Sequence, residues 1–341
     1  MSCLDDLANT SEVNVEDFSC DLDLSKAELP IVLLLTLVLN ILSVIILYKL
    51  RHAFQSTDTM MVATLITNDA VTSLIFIVMW LAGWASCGCI MVVDIFFCSA
   101  FGWLGTAMVM WSAWIVTIMS ASRYLALARP FFYRNHVKTF QLKVAMAITL
   151  FITFLQFTGP FYGTAVQYEY YSENKVCAYD FAPGHGEASH RYILLVITIE
   201  GFSLIGMVLF FNISIVIKLR RVNVVRPEPT HTRTDTSNIQ TKRTAFANVT
   251  KVVSAVYCIC YAPFLIRLLY DVIDNTPHQN DPRHSITMTL LFMSPLLNPM
   301  VYVACNRRYR EYIVQTFKKL CKGKETLVSD SSGLGTQTTR A

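Results

Sequence analysis

The stretch Ile95–Ser122, IFFCSAFGWLGTAMVMWSAWIVTIMSAS, runs for 28 residues without one charged side chain. A helix rises about 1.5 Å per residue, so this run outlasts the ~30 Å hydrocarbon core of a bilayer. Six further stretches on either side of it meet the same test. Pro30–Tyr48 carries no charge, and Met60–Trp84 carries one, Asp69. Val144–Gly163 follows with none, then Tyr192–Ile217 with Glu200. Val252–Val272 holds Arg267 and Asp271 near its end, and Ile286–Cys305 holds none. The spacing predicts an all-α membrane protein, a bundle of seven spans over residues 30–305.

Composition agrees. Charged residues make up 15% of the chain and apolar residues 54%, where soluble domains carry about 25% charged. A lipid-facing surface accounts for the missing charge, because hydrocarbon offers a polar group nothing to bond with. Of the 28 Lys and Arg residues, only Lys26, Lys175, Arg191, Arg267 and Arg283 fall on the side that holds the N-terminus. The positive-inside rule therefore places the N-terminus outside. The arm 1–29 holds eight acids and one Lys, with no signal-peptide pattern, so the first span is expected to serve as its own anchor. Within the arm, Asn9-Thr10-Ser11 is a glycosylation triplet on the accessible side.

Residues 306–321 place Tyr309, Ile313, Phe317 and Leu320 at helical spacing among Arg and Lys. This predicts a short amphipathic eighth helix on the inner membrane face, with Cys321 at its end as a palmitoylation candidate. The tail 322–341 reads as disordered, and Thr326, Ser329, Ser331, Ser332, Thr336, Thr338 and Thr339 are open to phosphorylation. The basic, Thr-rich stretch 218–251 reads as a mobile loop. Cys3, Cys20, Cys87, Cys89, Cys98 and Cys177 lie on the oxidising side, where disulfides persist, but spacing leaves their connectivity open.

Five motifs occupy particular spans: Asn40 in the first, Asp69 in the second, Ser122-Arg123-Tyr124 ending the third, Cys260-Tyr261-Ala262-Pro263 in the sixth, and Asn298-Pro299-Met300-Val301-Tyr302 in the seventh. An acid in hydrocarbon is costly and usually functional. Pro263 and Pro299 each remove a backbone donor and loosen their helix. Together the motifs resemble the rhodopsin-like G-protein-coupled receptors from Pro30 to Cys321. That resemblance implies a plasma-membrane receptor, not an enzyme, that takes an extracellular small-molecule or lipid ligand and signals to heterotrimeric G proteins. Arg123, Tyr124, Pro263, Asn298, Pro299 and Tyr302 would carry the coupling, and movement of the sixth and seventh helices would carry the signal. The inner basic surface (Arg129, Arg134, Lys138, Arg220, Arg221) would meet the G protein, and the phosphorylated tail would meet arrestin. Nothing points to nucleic acid or to a cofactor. The resemblance pairs Cys98 with Cys177, and it makes Asp69, Ser112 and Asn298 a sodium pocket, against which stands a protonated Asp69 with no ion.

Within the family, Arg123–Tyr133 (RYLALARPFFY) and Cys260–Arg267 (CYAPFLIR) look like the prostanoid receptors, nearest the prostaglandin E type. Gln167-Tyr168 ahead of Cys177 is similar to their outer loop. Four positions depart from that pattern. Thr289 stands where they carry a carboxylate-binding Arg, Val176 where they carry Trp, Asn298 where they carry Asp, and Ser122 where most relatives carry an acid. Rival readings are an orphan peptide or chemosensory receptor and a non-signalling decoy. Retinal is excluded because the seventh span has no Lys for a Schiff base, and Gly105 stands where amine receptors place their Asp. Expected ligand contacts are Glu200, Tyr261, Arg267 and Thr289. Glu200 reads either as a ligand or ion-pair partner or as a protonated, hydrogen-bonded acid. A neutral or basic ligand paired with Glu200 is favoured over an acid bound at Arg267.

Overall fold

The computed structural model describes residues 28–49, 57–88, 90–91, 94–162, 167–171, 175–180, 188–224, 234–274, 282–305, 310–311 and 314. Among them are seven helices long and apolar enough to cross a membrane. In chain order the helices are α1 (Glu28–Lys49), α2 (Thr57–Ala85), α3 (Ile95–Ala128), the short α4 (Pro130–His136), α5 (Thr139–Gln156), α6 (Ala188–Val224), α7 (Thr234–Asp274) and α8 (Pro282–Cys305). All but α4 span. Between α5 and α6 lie two strands, β1 (Tyr168–Tyr171) and β2 (Val176–Tyr179).

The uncharged run quoted above becomes α3, the middle of the bundle. It packs against α2, α5, α6, α7 and both strands, while α7–α8–α1–α2 close the ring around it. Polarity is reversed relative to a soluble protein. Leu34, Ile41, Ile45, Phe151, Leu155, Ile199, Phe210 and Ile259 are exposed, as lipid contact requires. Asn40, Asn68, Asp69, Thr72, Ser112 and Asn298 are buried. Hydroxyls inside the spans bond to their own helix one turn back, as in Thr36 to Val32, Thr72 to Asn68, Ser73 to Asp69 and Thr117 to Ala113. That back-bonding lets a small polar residue sit in a span without an orphaned donor. Larger donors reach across. The Trp103 and Trp111 indoles donate to the Phe154 and Met146 carbonyls of α5, at 3.1 and 3.2 Å.

Pro299 inside α8 has no N–H to offer the Pro295 carbonyl one turn earlier. Asn40 fills the gap. Its amide donates to Pro295 at 3.1 Å and to Thr36 of its own helix at 2.8 Å. The loosened turn of α8 is thereby held to α1 by a side chain that the bundle supplies.

Two expectations need correction. The fourth span runs Thr139–Gln156 rather than Val144–Gly163. Its start is set by Gln141, whose side-chain oxygen accepts the Lys138 N–H at 2.6 Å. It ends because Pro160 cannot donate to Gln156, and the chain tightens into a 3-10 turn at Gly159–Tyr162. The stretch 218–251 is largely helix, since α6 continues to Val224 and α7 begins at Thr234; no Gly or Pro interrupts residues 234–262. The outer loop is a hairpin, with Tyr168 opposite Tyr179 and Tyr170 opposite Cys177. Of the expected amphipathic helix 306–321, Arg310, Glu311 and Val314 are described and helical. Asn9 and Cys321 lie outside the described residues.

Cys98, at the start of α3, is bonded to Cys177 of β2 with their Cα atoms 5.4 Å apart. The hairpin is thereby fastened over one end of the bundle. The Tyr168 hydroxyl adds a bond to the Phe157 carbonyl at 2.7 Å. Burial pushes the Tyr170 phenol up to about 12 and those of Tyr168 and Tyr179 higher still, so the lid presents neutral hydroxyls. Cys87 is also in a disulfide, with a partner outside the described residues. Replacing Cys98 or Cys177 with Ser should cost about 2–5 kcal/mol of stability and reduce delivery to the cell surface. Peptide mapping of the non-reduced protein that found both as free thiols would refute the bridge.

Candidate functional site

Beneath the hairpin lies a cavity. On α3 it is lined by Thr106, Val109, Met110 and Ala113, on α7 by Tyr257, Tyr261, Phe264 and Leu265, and on α8 by Met288, Leu291 and Phe292. Tyr171, Val176 and Ala178 of the hairpin cover it, with Leu29, Phe76, Ile197 and Gly201 completing the wall. None of these side chains is charged. From Thr106 to Ala113 the wall follows α3 for seven residues, about 10 Å at helical rise. Two glycines shape it. A Cβ at Gly105 would come within 2.9 Å of the Phe76 ring, and one at Gly201 within 2.5 Å of Leu265. An acid at position 105 would thus collide with Phe76.

Of the four expected ligand contacts, only Tyr261 lines the cavity, and its hydroxyl donates to the Val109 carbonyl at 3.2 Å. Glu200 faces away from the cavity. Its carboxylate accepts the Trp114 indole N–H of α3 at 3.0 Å and the Gln156 amide of α5 at 2.6 Å. The reason is helical phase. Ile197, Gly201, Leu204 and Val208 point inward, while Val196, Ser203 and Met207, on the turns flanking Glu200, are exposed. Arg267 donates to Asp271 at 2.7 Å, one turn along α7, and does not line the cavity. Thr289 is also absent from the wall, which α8 supplies through Met288, Leu291 and Phe292.

Deeper in the bundle the buried acid is reached from two other helices. Ser112 of α3 donates to one Asp69 oxygen at 3.1 Å, and Asn298 of α8 donates to the other at 2.8 Å. Asn68 donates to Ser112 at 2.6 Å. The side-chain carbonyl oxygens of Asn68 and Asn298 are buried without a hydrogen-bond partner among the described residues. Oxygen acceptors with nothing to accept, beside a carboxylate and a hydroxyl, form a donor set suited to a hard monovalent cation.

At the far end, Arg123 is buried, 5% exposed. Ser122 before it lies 3.4 Å from the Tyr133 hydroxyl of α4, so this position ties α3 to α4. Tyr124 stacks at an angle against Phe211 of α6, ring centroids 5.5 Å apart. Ser120 links α3 to α7 through Ser254 at 3.0 Å and to α6 through Asn212 at 3.2 Å. Pro263 sits inside α7, and Tyr302 is buried on α8.

The family model described as 7 transmembrane receptor (rhodopsin family) matches residues 39–302. The chain belongs to that family. It is therefore a multi-pass receptor of the G-protein-coupled class and not an enzyme. Its structure is similar to the crystal structure of squid rhodopsin, with a TM-score of 0.67 over 92% of this chain and 85% of that one. The two are 17% identical, so the likeness speaks for the fold alone. No curated protein sequence matches this receptor.

Sequence reasoning missed Trp114, Gln156, Tyr257 and the hairpin. A signal existed for Trp114, since an indole N–H inside a span must find an acceptor, and Glu200 was the free acid in reach. Replacing Glu200 with Ala should orphan that indole and lower stability by about 1–3 kcal/mol. Thermal unfolding of the purified receptor checks it, and ligand affinity should stay unchanged. A selective loss of affinity with normal stability would return Glu200 to the cavity.

Proposed function

We propose that this receptor is switched by an uncharged, lipid-like extracellular ligand and relays that event to a heterotrimeric G protein at the opposite end of the bundle. One observation carries the reading: among the described residues the cavity wall has no charged side chain, with Arg267 paired to Asp271 and Glu200 bonded to Trp114 and Gln156. Burying a ligand's charge without a partner is costly. The prostanoid resemblance carries over as a preference for an elongated apolar body, not as a carboxylate anchor. The N-terminus is outside and the receptor works at the plasma membrane, in line with the Lys and Arg distribution. Ligand bound under the hairpin biases α7 and α8 at Pro263 and Pro299, and Arg123 is uncovered toward the G protein.

A second-messenger screen of transfected cells against neutral and acidic lipid mediators tests this. Neutral lipids should activate, and Arg123→Ala should abolish the response while surface expression is kept. Activation by prostaglandin acids that disappears in Arg267→Ala would overturn the ligand assignment. An unchanged response in Arg123→Ala would overturn the coupling assignment.

The Asp69, Ser112 and Asn298 cluster is proposed to hold a sodium ion that favours the resting state. Sodium would supply the positive charge that the buried carboxylate lacks among its described partners. Raising sodium should then weaken agonist binding, and Asp69→Asn should remove the effect. Linkage requires that agonist weaken sodium to the same extent. Agonist affinity indifferent to sodium in the wild type would instead indicate a protonated Asp69.

A further inference from the structure

Of the acids within the seven apolar stretches, Asp69 and Asp271 are buried, and Asp271 is paired with Arg267. Glu200 differs on both counts. It is half-buried, and its partners among the described residues, the Trp114 indole and the Gln156 amide, are both neutral. Each donates to a different carboxylate oxygen, at 3.0 and 2.6 Å. A carboxylate has about four acceptor positions, so each oxygen keeps room for a further donor. Inside a helix the main chain is enclosed, so the exposed part of Glu200 belongs to its side chain. A charge at this depth without a counter-charge is costly.

The bundle is open beside it. α3 packs against both α5 and α6, whereas α5 and α6 are not packed closely on each other among the described residues. A lipid-facing crevice runs between them, with α3 as its floor. Trp114, Ile118 and Ala121 follow one another at helical spacing on α3 and are each partly exposed, although α3 is the central helix. On α6, Ser203 and Gly206 follow Glu200 at three-residue steps, and both are exposed. A Cβ added at Gly206 would meet nothing within 4 Å. The hydrogen bond from Gln156 to Glu200 bridges the crevice at one end. Tyr124 closes the other against Phe210 and Phe211, with ring centroids 6.1 and 5.5 Å away. From Glu200 to Phe210 is about 15 Å at helical rise.

We propose that Glu200 is the polar end of a second, lipid-facing site, which takes a protonated amphiphilic amine dissolved in the membrane. The ammonium donates to the carboxylate and supplies the missing counter-charge, and the apolar chain lies along Ser203 and Gly206. A hydroxyl would use the same lone pairs but leave the charge unanswered, and a bond between two ions is the stronger. Glu200 lies in the half of Tyr192–Ile217 nearer the hairpin, so the amine enters from the leaflet on that side. Trp114 and Gln156 act as positioning residues that hold the carboxylate toward the crevice. The site is separate from the cavity under the hairpin and does not depend on what that cavity binds.

Two photoreactive probes test it on the full-length receptor in phosphatidylcholine vesicles at neutral pH: dodecylamine and dodecanol, each with a diazirine midway along the chain. Labelled residues are mapped by mass spectrometry. Labelling of Ser203 and Met207 is divided by that of the lipid-facing Leu34 and Ile41 on α1, which corrects for partition into the membrane. In the wild type the amine should exceed the alcohol at the crevice roughly tenfold, the worth of one charge-assisted hydrogen bond. Glu200→Gln removes the charge and keeps an oxygen for the indole, and it should bring the amine down to the level of the alcohol. Equal labelling of the wild-type crevice by amine and alcohol overturns the proposal, as does an amine preference that survives Glu200→Gln. Amine labelling concentrated on the cavity residues Met110 and Leu291 overturns it too. Should Glu200→Gln fail to fold, the wild-type comparison of amine with alcohol decides.

Discussion

Asp69 accepts hydrogen bonds from α3 through Ser112 and from α8 through Asn298, and the middle of the bundle is organised around it. The constraint behind this is the absence of water in hydrocarbon, which obliges every polar group in a span to find its partner in the protein. A carboxylate is the most demanding such group. Three helices must therefore meet at one depth with their polar side chains in register. The same rule explains why Asn40 reaches across to the carbonyl that Pro299 leaves unpaired. Between them, the Asp69 and Asn40 side chains tie α8 to α1, α2 and α3.

On the function proposed here, those ties are also what would make the bundle switchable. Interruptions at Pro263 and Pro299 concentrate the weakness of α7 and α8 into single turns, and in α8 the Asn40 side chain stitches the interrupted turn to α1. A ligand in the proposed site would meet Tyr261, Leu291 and Phe292, on the helices that contain the interruptions. On the other side of the membrane, Ser120, Asn212 and Ser254 clasp α3 to α6 and α7. With Ser in place of an acid before Arg123, that neutral clasp is positioned to oppose separation of α7 from α3. Both ends are thus linked through α7, and the hairpin disulfide keeps the ligand end of α3 in place.

The charged residues inside the spans have consequences that differ from their appearance. Glu200 and Arg267 look like ligand contacts because an intramembrane charge is costly and usually functional. Each instead has its partner close by, Glu200 two neutral donors and Arg267 the Asp271 carboxylate one turn away. What remains on the cavity wall is apolar surface and hydroxyls. In the ligand site proposed, selectivity would depend on shape and not on ion pairing.

Sequence alone determined the seven spans, the uncharged third among them, and the family motifs. These are properties of local composition, since a segment that crosses hydrocarbon must be apolar throughout its length. Asp69, Ser112 and Asn298 were legible as a set only through the family resemblance, and the hydrogen bonds of the folded bundle join them. The direction of Glu200 was not legible, because a span that is apolar all round gives no hydrophobic phase from which to tell inside from lipid. Nor was the fourth span's start, which a single Gln141 cap moved by five residues. That the Tyr261 hydroxyl is spent on the Val109 carbonyl was decided only by tertiary packing. A hydrogen bond depends on tenths of an ångström between helices that are far apart in the chain, and nothing in the order of residues records that distance.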